Sequence, residues 1–373
     1  MRIENLETIM THNWSLIKIT TDKGITGIGE GTFWAYPAAT ESVINSFKRY
    51  LIGQDPLRIG HHWQYLYRTY CFRGAAVSSA LAAVDVALWD IAGKYFEAPV
   101  YQLLGGKHRD KVRLYALTGG GSVDHIVKRA ESYVKEGFTA LKLDPIPPDY
   151  ATLGYSDMIA ETVARVAAVR EAVGPHIDIG VEIGRRLSPG EAITLGTELE
   201  RFRLLFYEDP IPPESIQSWR EVAAKVRIPI ATGERLYNIF EFRELLEAGG
   251  VHIVRPDVGV AGGLTQCKKI AAVAESYNAL FMSHNFFSPV TTVASVHLDA
   301  SIPNFLIQEY GDDHRPPKSE LLKTPLKPVD GYLAVPEGPG LGIELNEDFF
   351  AKYPFDPLEI DAPTRTDGSV AYR

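Results

Sequence analysis

IDIGVE (177–182), LLFYE (204–208), IPIATGE (228–234), VHIVRPD (251–257), ALFMSH (279–284) and FLIQE (305–309) decide the fold. Each is a short run rich in β-branched and aromatic residues, as a strand requires. Each closes on an acidic or imidazole side chain: Glu182, Glu208, Glu234, Asp257, His284 and Glu309. The intervals between the six are 26, 26, 23, 27 and 25 residues, about the length of one strand-plus-helix unit. A polar residue at the end of every successive strand is what a parallel barrel uses to build one site at its C-terminal mouth.

Working outward, VRLYAL (112–117) and ALKLD (140–144) have the same texture, which brings the expected strands to eight. Helical patterns separate them, as at 157–173, where Ile159, Val163, Val166 and Val169 share a face, and at 264–277, entered through Gly262 and Gly263. Eight strands with seven intervening helices fit a closed α/β barrel, because near-continuous apolar strands need cover on their outer face. An open doubly wound sheet is the competing architecture. It would gather a ligand at one switch point instead of spreading polar residues over six strand ends.

Residues 1–30 read as a β meander turning at Asp22, Lys23 and Gly24, and helices are expected at 40–51, 58–69 and 77–96. The predicted division is an α+β unit over 1–111, a barrel over 112–315, and a segment 316–373 whose Pro- and Gly-rich start leads back to the first unit.

With 373 residues, 45% of them hydrophobic and 23% charged, the chain is a globular protein with room for two cores. A net charge of −9 argues against a nucleic-acid surface but leaves room for an acidic substrate, since a bound cation reverses the local field. Cys71 and Cys267 make no disulfide framework, no secretory signal pattern opens the chain, and no run approaches a membrane span, so a cytoplasmic location is expected.

Three glutamates ending three neighbouring strands repel one another unless a cation or proton lies between them. Oxygen-only ligation by Glu182, Glu208 and Glu234 suits magnesium. Asp257 and His284 end adjacent strands, and a carboxylate beside an imidazole fixes its tautomer and raises its basicity, which prepares a general base. Lys142, across the barrel, is placed to neutralise a substrate carboxylate or to deliver a proton. Glu309 would donate a hydrogen bond to an oxyanion if neighbouring acids raised its pKa. Such a set suits removal of the α-proton of a carboxylate, whose enediolate carries its charge on oxygen. Gly27, Gly29 and Gly31 are expected in turns, and Gly119 to Gly121 in a flexible loop. Phe33, Trp34 and Tyr36 are expected in a lid or a domain interface.

ALWDIAGK (87–94), YQLLGG (101–106), LFYEDP (205–210), the GER of 233–235, RPDVGVAGG (255–263), SHNFFSPV (283–290) and GPGLGIEL (338–345) resemble the mandelate racemase/muconate lactonizing enzyme branch of the enolase superfamily. The resemblance covers essentially the whole chain. It implies a modified (β/α)7β TIM barrel under an α+β capping domain drawn from both chain ends. It also implies magnesium on the three glutamates, the Asp257/His284 pair as base, Glu309 at the substrate oxyanion and a homo-oligomer. Within the branch the chain is most similar to the galactonate dehydratase group and related sugar-acid dehydratases, through LIGQDP (51–56), FRG (72–74), GERLYNIFEF (233–242), LEAGG (246–250) and DGSVA (367–371). That implies loss of the α-proton and the 3-hydroxyl of an aldonate or aldarate, giving a 2-keto-3-deoxy acid.

Two departures stand out. Racemases of the branch carry Lys-x-Lys where this chain has Lys142-Leu143-Asp144, which disfavours a base on each face; the galactonate group has a His where this chain has Gly184. Epimerisation or cycloisomerisation with Asp144 or Lys142 as the opposing acid is the alternative activity. A metal- and metabolite-binding protein without turnover is the non-enzymatic one.

Overall fold

The computed structural model describes residues 1–69 and 72–372, so Cys71 lies outside the described residues; Cys267 is buried and unpaired. Strands β1 (Ile3–Thr11), β2 (Trp14–Thr21) and β3 (Thr26–Glu30) form an antiparallel sheet in that order. Helices α1 (Pro37–Leu51) and α3 (Ala75–Tyr95) pack on the sheet, and α2 (Ile59–Thr69) packs on α3. Gly27 and Gly29 lie inside β3, not in a turn as expected. A Cβ on them would meet the Ala87 and Ala83 carbonyl oxygens at 2.0 and 2.1 Å, so they are the surface onto which α3 fits. Helix α3 is long and apolar enough to cross a membrane, but 83% of its apolar stretch is buried here as the core helix of this unit.

A short helix α4 (Val100–Leu103) precedes the barrel. Its strands are β4 (Lys111–Gly119), β5 (Ala140–Leu143), β6 (Asp178–Glu182), β7 (Phe206–Glu208), β8 (Ile230–Thr232), β9 (Ile253–Val254), β10 (Leu280–Phe281) and β11 (Gln308–Tyr310). Between them run α5 (Val123–Lys135), α6 (Tyr155–Val173), α7 (Pro189–Leu199), α8 (Ile216–Lys225), α9 (Ile239–Glu247), α10 (Gly263–Ser276) and α11 (Pro289–Ala300). Five of these helices start where the sequence supplies a cap: Ser122, Ser188, Ser215, Asn238 and Ser288 each accept a backbone N–H of the first turn.

All neighbouring barrel strands are parallel, in the order β10-β9-β8-β7-β6-β5-β4-β11. A parallel bridge from Phe281 to Phe305 closes the ring. The barrel is therefore complete, and the open-sheet alternative fails.

The last strands are shorter than the sequence suggests, for a covalent reason. Pro256 accepts from the His284 amide through its carbonyl but has no N–H to return, so the ladder thins to the single bridge between Asp257 and His284. Gly233, at φ +137°, ends β8 early and turns Glu234 onto the mouth. No barrel-type helix follows β11 among the described residues. Instead β12 (Tyr332–Ala334) pairs antiparallel with β4, and α12 (Asp348–Lys352) carries the chain to the first sheet. There Trp14 stacks on Phe349 at 5.7 Å and Thr11 bridges Pro354. The fold is thus the modified barrel with seven helices and an α+β cap.

Candidate active site

Strand periodicity builds the site in layers, because side chains two residues apart point the same way. Tyr115, Ala140, Phe206, Ala231, Ile253, Met282 and Ile307 form an apolar plug in the barrel interior. Gly180 belongs at the same level: a Cβ there would lie 2.1 Å from the Phe206 ring, which takes its space. Two residues further along, the same strands present Lys142, Glu182, Glu208, Arg255, His284 and Glu309. The polar floor is one step of the β repeat above the apolar plug.

One oxygen from each of Glu182, Glu208 and Glu234 lies within 4.8 Å of the others, a group that could hold a metal ion. Lys142 Nζ is 2.9 Å from Glu182, 2.8 Å from Glu208 and 2.7 Å from Glu309. Arg255 Nε is 3.1 Å from Glu208 Oε2, and its two terminal nitrogens pair with Glu234 and Glu309. Arg185 donates to Glu234 and to Asp209 Oδ2, the latter at 3.2 Å. Glu182, Glu208, Glu234, Glu309 and Asp209 thus face Lys142, Arg255 and Arg185, an excess of carboxylate over fixed cation. Glu208 Oε2 is buried and has the ionic contact with Arg255 Nε but no aligned hydrogen bond. An all-oxygen, charge-excessive, partly unsatisfied donor set fits a hard divalent cation.

The same surroundings set the protonation of each acid. Burial pushes Glu208 up to about 8 against the pull of Arg255 and Lys142. Burial also acts on Glu309, but Arg255, Lys142 and His284 outweigh it and hold its carboxyl down at about 2. In these surroundings the shift at Glu309 runs downward, not upward as expected. Its oxygens accept from Lys142, Arg255 and the Asn285 amide, so it anchors cations. Lys142 is buried, yet Glu182, Glu208 and Glu309 raise it well above the usual lysine range against burial and Arg255.

His284 is 4% exposed. Its Nδ1 bonds to Asp257 Oδ2, whose other oxygen accepts from the Gly259 amide at 2.6 Å. This leaves Nε2 as the working atom, 3.5 Å from Glu234 Oε2. Burial and Arg255 lower the imidazole pKa, but Glu234, Asp257 and Glu309 prevail and the net shift is upward.

His284 and Glu234 line a cleft of about 660 Å³ with Arg185, Arg235, Tyr237 and, from the cap, Phe33, Trp34 and Tyr36. Trp34 stacks on Phe286 at 5.3 Å, so the FWAYP segment is at once a wall of the site and a packed interface. The far wall is the C-terminal segment: Ile360, Val370, Ala371 and Tyr372. Tyr372 is tied by its hydroxyl to Glu214 at 2.8 Å and by its carbonyl to Tyr150.

Asp144 is not brought to His284. Arg186 grips it bidentately at 2.7 and 2.8 Å in a separate hollow of about 370 Å³ with Gly120 and Gly121. The lining of the His284 cleft does not include it.

Arg185, Arg255 and Asp209 were not singled out in the sequence, and the C-terminal segment was expected in the cap rather than at the site. The signal for Arg255 was present: it is two residues after the plug residue Ile253 and two before Asp257, the phase of an inward side chain. Nothing local marked the others.

A barrel of this form, with its cap and a ring of strand-end acids beside a His–Asp pair, defines an enzyme of the enolase type. Family models place the chain more narrowly. Residues 4–105 match the mandelate racemase/muconate lactonizing enzyme N-terminal domain and 125–349 the enolase C-terminal domain-like family. The chain belongs to the mandelate racemase/muconate lactonizing enzyme branch of the enolase superfamily, whose members use a divalent metal, and it is a hydro-lyase. It is 38% identical to a D-galactonate dehydratase from Verminephrobacter eiseniae and 36% identical to one from Xanthomonas oryzae pv. oryzae, over the full length of both chains in each case. Among solved structures it is similar to an enolase from Agrobacterium radiobacter, provisionally named a galactarate dehydratase, with sodium and L-malate bound. The TM-score is 0.95 at 31% identity, covering 100% of both chains. A dehydratase, also provisionally named, from Salmonella enterica serovar Typhimurium gives a TM-score of 0.90 at 34% identity, covering 94% of this chain and 98% of that one.

Proposed function

We propose that the protein is a magnesium-dependent dehydratase of an aldonate or aldarate, with His284 as its base and residues 1–111 and 316–373 as its cap. Glu182, Glu208 and Glu234 would hold the ion, a donor set their convergence within 4.8 Å supports. When bound, the cation supplies positive charge against the charge that builds on the substrate carboxylate as the α-proton leaves.

The observation that carries this reading is the Nε2 of His284, oriented by Asp257 and open to the cleft beside those glutamates. Nε2 takes the α-proton, and the C–H electron pair forms the C1–C2 double bond of an enediolate before shifting to the C2–C3 bond. The C3–O pair leaves with the hydroxyl, which collects the proton from the imidazolium and departs as water. The enol then ketonises to a 2-keto-3-deoxy acid. Lys142 and Arg255 hold Glu208 and Glu309 in place throughout, and the aromatic side chains Phe33, Trp34 and Phe287 exclude water from the rim.

Incubation with a set of four- to six-carbon aldonates and aldarates, with a colour assay for 2-keto acids, tests the reading. Turnover of at least one acid is expected, and His284→Asn should lower it at least about a hundredfold while acid binding persists. Absence of keto acid from every member of the set sinks the proposal.

A further inference from the structure

Arg185 has φ +67°, a backbone conformation costly for any side chain but glycine, and it has it at the mouth of the barrel. Such strain persists only where the surroundings over-determine it, and it collects where ligands are handled. Here its amide donates to the Asp209 carbonyl at 2.6 Å, and its guanidinium to Asp209 Oδ2 at 3.2 Å and to Glu234 Oε1.

A purely structural ion pair explains this poorly. The other oxygen of Glu234 is already bound by Arg255, a fully buried guanidinium from the residue after β9, where φ is not positive. Placement explains it better. Glu234 Oε1 faces Arg185 and Glu234 Oε2 faces His284 Nε2, so the guanidinium and the imidazole flank one carboxylate. All three line the same cleft.

We infer that Arg185 is a substrate-binding residue, donating hydrogen bonds to an anionic or hydroxyl oxygen of an acid held between it and His284. This rests on the acid-substrate reading above and adds a residue to it. The guanidinium stays protonated throughout and acts by hydrogen bonding alone. Among the described residues, Arg185 is the cationic side chain paired with Glu234 Oε1, on the side of that carboxylate away from Arg255.

The test uses the full chain in a His284→Asn background, which prevents turnover, and titration calorimetry with L-malate and with D-galactonate at saturating magnesium. Arg185→Gly and Arg185→Gln should weaken acid binding by about 10- to 100-fold, the effect of losing a charge-assisted hydrogen bond, and Arg185→Lys should lose less. Arg185→Gly should melt no lower than its parent, since relief of the strained backbone offsets the lost ion pairs. Magnesium affinity without acid should change less than threefold.

Acid affinities within twofold of the parent overturn the inference, as does failure of the parent to bind either acid. A magnesium-affinity loss that accounts for the whole effect, or Arg185→Gln binding normally while Arg185→Gly melts lower, shows a structural role and overturns it too. Wild-type enzyme run beside these proteins separates the two claims. Acid binding that depends on Arg185, without keto acid from wild type, sinks the dehydration and leaves Arg185 standing.

Discussion

Arg255 shows how one side chain holds a site that would otherwise come apart. It is buried among Glu208, Glu234 and Glu309, and those acids raise its pKa well above the usual value against the opposing pull of burial. Removing one member of a buried ion network costs about 3–5 kcal/mol, because the partners remain as uncompensated charge. Arg255→Met is therefore expected to lower stability by that amount in urea unfolding. Added magnesium should restore part of the loss, since the cation takes over neutralising the same carboxylates. A loss under about 1 kcal/mol would mean that the three glutamates are compensated elsewhere. At this scale the sequence singled out the acids and Lys142, but not the counter-charges Arg255 and Arg185. An acid at a strand end is visible in the period of the repeat, whereas Arg185 depends on a left-handed turn that no residue type announces.

Among elements, the junction between α3 of the cap and α10 of the barrel is sensitive to pH. Asp85 on α3 accepts from the Thr265 amide of α10 at 2.9 Å, and Gly263 makes room: a Cβ there would lie 2.5 Å from its Oδ2. Burial pushes the Asp85 carboxyl up to about 7, despite the Thr265 bonds. The folded protein then keeps a proton that the unfolded chain releases near pH 4. Between those values the folded state binds more protons, so stability from this group falls as pH rises through the window, by at most about 1.4 kcal/mol per unit. Asp85→Asn should flatten the decline in melting temperature between pH 5 and 7.5; an unchanged slope would place the titration elsewhere. Strands and helices were legible from periodicity and caps. Their ends were less so, because Pro256 and Gly233 cut the ladder where the apolar pattern continued.

Across the whole molecule, the segment past Pro354 crosses from the first sheet to the barrel mouth and completes the cleft. It folds back through a bridge between Thr364 and Val370 and is anchored by Glu214 and Tyr150. Most of its side chains are exposed, so it adds little core. A chain ending after Asp356 should keep its melting temperature within about 3 °C. It should lose at least tenfold in kcat/KM on any acid the intact enzyme turns over, because Ile360, Val370, Ala371 and Tyr372 no longer close the site. Unchanged kcat/KM would remove the segment from the catalytic unit.

By itself the sequence determined the barrel, its acid-bearing strand ends and the His284–Asp257 pair. These follow from local rules: a side-chain period of two, a helical period near four, and one polar residue per repeat. The tertiary structure alone decided that Lys142 is locked among three carboxylates, that Glu309 pairs with Lys142 and Arg255, that Asp144 belongs to Arg186, and that Ile360, Val370, Ala371 and Tyr372 wall the cleft. Those outcomes depend on charges brought together from distant positions in a buried space, where burial and Coulomb terms of similar size compete and no local pattern records which one wins.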